Sequence, residues 1–187
     1  MAKKPKFYYG ADAVKQVEKK LGRPLTYIEK RVVEEEGFVD GIYKDDKGIT
    51  TAGVGQTGKY LNKSFEESLQ AHVKEAERLI PSLTTLPEDV QAELIQATYR
   101  GDLGGSPTFR KLLNAGDYEK AAQEFLNNKD YRNSIALNQS GKPHGVAGRM
   151  EKVAAAVAKL GQPTSQPEPQ YADFQNPLLI NELMVAP

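Results

Sequence analysis

The chain has 187 residues, with 25 Lys and Arg against 25 Asp and Glu, two His, and neither Cys nor Trp. That length supports one domain with at most a small appendage, and 39 % hydrophobic residues suffice for a buried core rather than wholesale disorder. A formal net charge of zero supplies no overall field for nucleic acid or an anionic membrane, and the missing cysteines exclude a disulfide framework, a thiolate metal site and a cysteine nucleophile.

Residues 1–24 read as an N-terminal extension. Residues 1–35 hold nine Lys or Arg against five Asp or Glu, a local bias that suits an anionic cell wall. No apolar h-region follows the basic start and no 18-residue apolar run occurs, so the sequence predicts neither a signal peptide nor a membrane span.

The first legible helix begins at a capping box, Thr26-Tyr27-Ile28-Glu29, and runs to about Glu36. Ile28 and Val32 lie four apart on one face, Glu36 falls on the same face, and Gly37 supplies the C-terminal stop. Residues 38–57 carry strand formers (Phe38, Ile42, Tyr43, Ile49, Thr50, Thr51, Val54) broken by the turn cluster Asp45-Asp46-Lys47-Gly48. This predicts a short hairpin or three-stranded meander.

Helices then dominate. Ser64-Phe65-Glu66-Glu67 is a second capping box, opening a helix that stops before Pro81. Others are expected from Pro87 to Gly101, from Ser106-Pro107 to near Gly116, from an Asp117 cap through Phe125, and from Arg149 to Leu160. Between the last two, about Asn133 to Gly148 reads as a long loop suited to a lid or site wall. From Gly161 five prolines (163, 167, 169, 177, 187) mark an extended tail with an apolar end, Leu178 to Val185. The domain plan is therefore an extension over 1–24, a globular domain over 25–160 and a Pro-rich tail over 161–187.

Three residues stand out chemically. Glu36 sits at the last turn of its helix, beside unsatisfied carbonyls and on the apolar face, and both influences favour the protonated acid. A carboxylic acid kept protonated is what a glycosidase needs to protonate a departing sugar oxygen, provided a second carboxylate faces it. Asp45, in a polar turn with Lys44 and Lys47, is the candidate for that second group, and the Thr51 hydroxyl can hold a water between itself and Asp45. Taken singly, each residue type is commonly structural; the joint spacing carries the reading.

Glu36, eight residues, Asp45, five residues, Thr51, followed by Gly53-Val54-Gly55, resembles the catalytic signature of the phage-type lysozymes of glycoside hydrolase family 24. The stretch Glu36 to Asp45, ending in Tyr43-Lys44-Asp45, is similar to that family's helix end and first strand. The likeness continues through Arg100-Gly101-Asp102, Thr108, Asp117 to Ala122 and Arg149. It covers about residues 25–160.

The resemblance implies an α+β, mostly helical, two-lobed fold with a small β lobe, a helical C-terminal lobe and a cleft between them. It implies hydrolysis of the β-1,4 bond between N-acetylmuramic acid and N-acetylglucosamine in peptidoglycan. Glu36 would be the general acid, Asp45 would orient water and Thr51 would complete the water site. Arg149 would pair with Glu36, and Tyr99, Arg100 and Thr108 would line the far wall. The implied reaction inverts configuration, which requires the two carboxyls roughly 6.5–9.5 Å apart. Gln56 departs from the pattern, since many relatives carry His there. No metal or organic cofactor is implied.

Two other signals fail on their surroundings. Gly53 to Gly58 matches a three-glycine dinucleotide pattern without a βαβ unit, and a calcium loop over Asp45-Asp46-Lys47-Gly48 would put Val54 where a bidentate Glu is needed. The expected partners are peptidoglycan and, through residues 171–187, a virion or tail protein, with no nucleic acid, no membrane and a monomeric isolated domain. Two routes to the wall follow: release from the host cytoplasm as an endolysin, or carriage in the virion. The rival reading is a non-catalytic peptidoglycan-binding or structural virion component with the same fold.

Overall fold

The computed structural model describes residues 4–45, 48–141 and 145–162. The tail over 163–187, with the docking segment expected at 171–187, lies outside the described residues.

The architecture is α+β and mostly helical, as expected. Two elements precede the first helix read from the sequence. Strand β1 (Lys6–Tyr8) pairs antiparallel with β2 (Phe38–Lys44), setting Tyr8 opposite Phe38. Helix α1 (Gly10–Leu21) spaces Ala13, Val14 and Val17 on one face and buries all three, packing on α2 (Tyr27–Glu36) and β2. Residues 6–21 thus share one hydrophobic core with the rest of the described chain.

The capping box of α2 is in place: Thr26 Oγ1 accepts from the Glu29 amide at 3.3 Å and the Glu29 carboxylate accepts from the Thr26 amide at 2.8 Å. Arg23 grips the same carboxylate at 2.7 Å and 2.8 Å and holds its pKa down to about 2. The sheet runs β1-β2-β3-β4, with β3 (Thr50–Gly53) and β4 (Gln56–Thr57) completing it. Tyr43 faces Thr51 across β2 and β3, and the pairing register shifts between Val39 and Ile42.

The helical lobe comprises α3 (Phe65–Leu79), α4 (Glu88–Tyr99), α5 (Pro107–Asn114), α6 (Tyr118–Leu126), α7 (Lys129–Gln139) and α8 (Val146–Lys159). The buried rings of Phe109 and Phe125 meet 4.7 Å apart with their planes tilted by 50°, and α4, α6 and α7 pack on α8. The contact of α2 with α4 joins the lobes, so the end of α2 meets the end of α4.

Three local expectations are corrected. The stretch read as a loop over 133–148 is largely helical: Asn128 Oδ1 accepts from the Asp130 and Tyr131 amides at 2.8 Å and 3.1 Å, starting α7. Buried Ser134 then accepts from the Ala147 amide at 2.9 Å, so a residue with turn character ties α7 to the start of α8. For that reason α8 begins at Val146, one turn before the expected Arg149. Asp117 does precede α6, but its carboxylate binds Lys120 at 2.7 Å instead of capping the amides.

Candidate active site

Helix α2 ends at Glu36 because Gly37 turns away with φ 75°, and a Cβ there would stand 2.8 Å from the Tyr8 carbonyl oxygen. The Glu36 side chain is thereby delivered into a hollow of about 50 Å³ lined by Phe7, Tyr9, Val39, Tyr43, Gly53 and Gly55, among others. Gly55 borders the carboxyl, and a Cβ there would make ordinary van der Waals contact with Glu36 Oε2 at 3.5 Å and with the Tyr99 ring at 3.9 Å.

Gln56 builds that glycine turn. Its Oε1 accepts from the Val54 amide at 2.9 Å and its Nε2 donates to the Lys63 carbonyl at 2.6 Å, satisfying a 6 % exposed side chain. The Tyr99 hydroxyl donates to the Val54 carbonyl at 2.6 Å, and burial pushes its pKa up to about 12, so it stays a donor.

Glu36 is half-buried, and its pKa is raised. Loss of solvent is the largest cause; the cations of Arg149 and Arg100 and a hydrogen bond from Gln96 Nε2 at 3.0 Å pull the other way without cancelling it. Arg149, expected to pair with Glu36, acts on it as a nearby charge. Arg149 Nη1 donates to the Glu35 carbonyl at 3.3 Å, because α8 approaches α2 along its last backbone turn, and its charge reaches Glu36 through space.

Asp45 and Thr51 flank one residue. Asp45 Oδ1 accepts from the Ile49 amide at 2.8 Å, while Thr51 Oγ1 donates to the Ile49 carbonyl at 3.3 Å. Thr51 is 5 % exposed, and Tyr43, which faces it across the sheet, also lines the Glu36 hollow. With its one proton committed, the Thr51 oxygen retains acceptor capacity for the O–H of a water.

Tyr99 and Arg100 stand at the end of α4. They line a second cavity of about 230 Å³ with Gly55, Thr57, Tyr60 and His72, in which His72 lies between the Tyr60 and Tyr99 rings at 4.6 Å and 4.4 Å. Burial lowers the His72 pKa and so favours a neutral ring. Thr108 is exposed and stands apart from Glu36, on a polar cavity of about 450 Å³ that Arg100, Asp102 and the start of α7 also line. Arg100 borders both cavities; its Nη2 is 3.4 Å from Asp102, while its buried Nη1 makes no hydrogen bond among the described residues.

The phage lysozyme family matches residues 33–139, more than half of the chain. The chain belongs to that family. Its general class is therefore a phage peptidoglycan-hydrolysing lysozyme, a glycoside hydrolase. None of the curated proteins compared matches the chain. The matched stretch contains Glu36, Asp45, Thr51, Tyr99, Arg100 and Thr108, whereas β1, α1 and the Arg149 helix lie outside it.

Sequence reasoning missed Gln96, Tyr60 and His72. Gln96 is 1 % exposed and interrupts the apolar run Leu94-Ile95-Gln96-Ala97, and a polar residue inside such a run was the available signal. Nothing local to Tyr60 or His72 announced that helix packing would stack them beside Tyr99. Among the described residues no cluster of three or more His, Cys, Asp or Glu is placed to hold a metal ion, and no helix is long and apolar enough to cross a membrane.

Proposed function

We propose that the chain cleaves the β-1,4 bond between N-acetylmuramic acid and N-acetylglucosamine by inversion, with Glu36 as general acid. The observation that carries this reading is the Glu36 carboxyl, raised by burial in spite of two nearby cations and facing a glycine turn that leaves room beside it. A protonated Glu36 donates its proton to the departing sugar oxygen as the glycosidic bond breaks.

Asp45 orients a water and accepts its proton as the water attacks the anomeric carbon from the opposite face; the Thr51 oxygen receives the water's other O–H. Arg149 and Arg100 keep the Glu36 pKa from rising further and stabilise the carboxylate left after transfer. Tyr99 and Arg100 bind the strand along the 230 Å³ cavity, and Thr108 contributes through the larger polar cavity.

In this reading residues 25–160 act as the hydrolase and residues 171–187 as a docking segment for a virion protein. The decisive test is release of reducing sugar from purified peptidoglycan by the wild type and Glu36→Gln, with circular dichroism on both. Activity lost only in the folded variant supports the assignment; equal activity in the two sinks it. A folded wild type that binds peptidoglycan without cutting it selects a non-catalytic wall-binding component.

A further inference from the structure

Strand β1 and Tyr9, the residue that follows it, bring three aromatic residues to the margin of the Glu36 hollow, from a segment outside the family match. Tyr8 turns inward and stacks on Phe38 with ring centres 6.0 Å apart. Phe7 and Tyr9 stay 46 % and 71 % exposed. Strand alternation, continued by the extended backbone of Tyr9, turns these two the other way from Tyr8.

Packing covers only part of each ring. Phe7 meets Tyr43 edge to face at 4.8 Å, and Tyr43 is the cross-strand partner of Thr51, so the aromatic surface runs into the proposed water site. The Tyr9 ring lies 3.2 Å from where a Cβ on Gly37 would be, directly over the backbone that follows Glu36. Its hydroxyl makes no hydrogen bond among the described residues. Tyr9 also occupies the N-cap of α1 with no side-chain cap, a position where Ser, Thr, Asp or Asn would add stability. Two large exposed rings beside a carboxyl, one of them in a poor capping position, point to a ligand.

A pyranose ring matches this surface: its C–H face lies on an aromatic ring while its hydroxyls stay in water. The hollow of about 50 Å³ beneath the rings is too small for a sugar but admits a substituent such as an acetamido group. We propose that Phe7 and Tyr9, braced by Tyr43, form a stacking subsite for one N-acetylhexosamine of the glycan strand, extending the cleft with residues the family match does not contain. The proposal rests on the peptidoglycan reading above and adds residues to it.

The test measures binding of soluble, uncrosslinked glycan strands by calorimetry in a Glu36→Gln background, where strands are not cut, and KM and kcat in the Glu36 protein. The expected result is five- to tenfold weaker binding and higher KM for Tyr9→Ala and Phe7→Ala, with kcat within twofold. Tyr9→Phe retains wild-type binding, because stacking needs the ring and not the hydroxyl. Thermal melts of each variant establish folding. Unchanged binding and KM in folded Tyr9→Ala and Phe7→Ala overturn the subsite. Binding lost in Tyr9→Ala, in a protein whose wild type never cuts, overturns the hydrolase reading and leaves the subsite standing.

Discussion

Glu35 and Glu36 are consecutive, yet α2 turns them into opposite environments. Glu35 accepts from Arg31 at 2.7 Å and Lys152 at 2.6 Å, while Arg31 also donates to Glu93 at 2.6 Å. Burial pushes the Glu35 pKa up, but the two cations outweigh it and leave it lowered. Glu36 is partnered by a neutral amide, feels its cations only through space, and is left raised. The difference is direct contact with charge, and it separates a carboxylate that holds lobes together from an acid poised to give up a proton.

The largest effect should come from deleting the acid. Glu36→Gln is expected to reduce hydrolysis of peptidoglycan by roughly 10²–10⁴-fold or more while the fold persists. Stability should move the other way. A raised folded pKa means that the contribution of Glu36 is present below its unfolded pKa and lost as pH rises through the folded one. Melting temperatures of Glu36→Gln should therefore exceed the wild type at neutral and alkaline pH, with the gap closing in acid.

Glu35→Gln breaks the contrast from the other side. Leaving Lys152 without its anion and Arg31 with Glu93 alone should cost about 1–3 kcal/mol at neutral pH, seen as a lower melting temperature. The Glu35 contribution exists above its unfolded pKa and is lost as pH falls through its lowered folded one, so this gap also closes in acid, with the opposite sign. Parallel melting curves for the two variants would show that the two environments are not distinct.

Gln96→Met removes a hydrogen bond that helps the larger Arg149 and Arg100 charges hold the Glu36 pKa down. The alkaline limb of the kcat/KM profile should move to higher pH, with at most about a tenfold loss at the optimum; an unmoved limb would exclude Gln96 as a positioning residue. The smallest change is expected from Tyr99→Phe. It leaves the Val54 carbonyl without its donor, a cost of about 1 kcal/mol, and should raise KM more than it lowers kcat.

Much of the fold was legible where the local signal and the tertiary outcome coincide. Both capping boxes form as the Thr26/Glu29 and Ser64/Glu67 spacings predict, and Gly37 ends α2 with a positive φ of 75°, although its ψ of -173° is extended rather than left-handed helical. Legibility failed where a polar residue answered a distant group. Ser134 looks like loop chemistry until the Ala147 amide arrives, and Asp117 looks like a cap until Lys120 competes for it. The missed β1 is three residues long and gains its meaning only by pairing with β2.

By itself the sequence determined the family, the mostly helical α+β class, and the Glu36, Asp45, Thr51 spacing, because capping, periodicity and motif spacing are encoded within a few residues of one another. Tertiary structure decided which groups surround those residues. Gln96 on Glu36, Arg149 on the Glu35 carbonyl, the Tyr60–His72–Tyr99 stack and the aromatic edge of β1 all join positions far apart in the chain. Solvent loss and the approach of charge set the protonation of a carboxyl, and both are properties of packed neighbours rather than of the chain beside it.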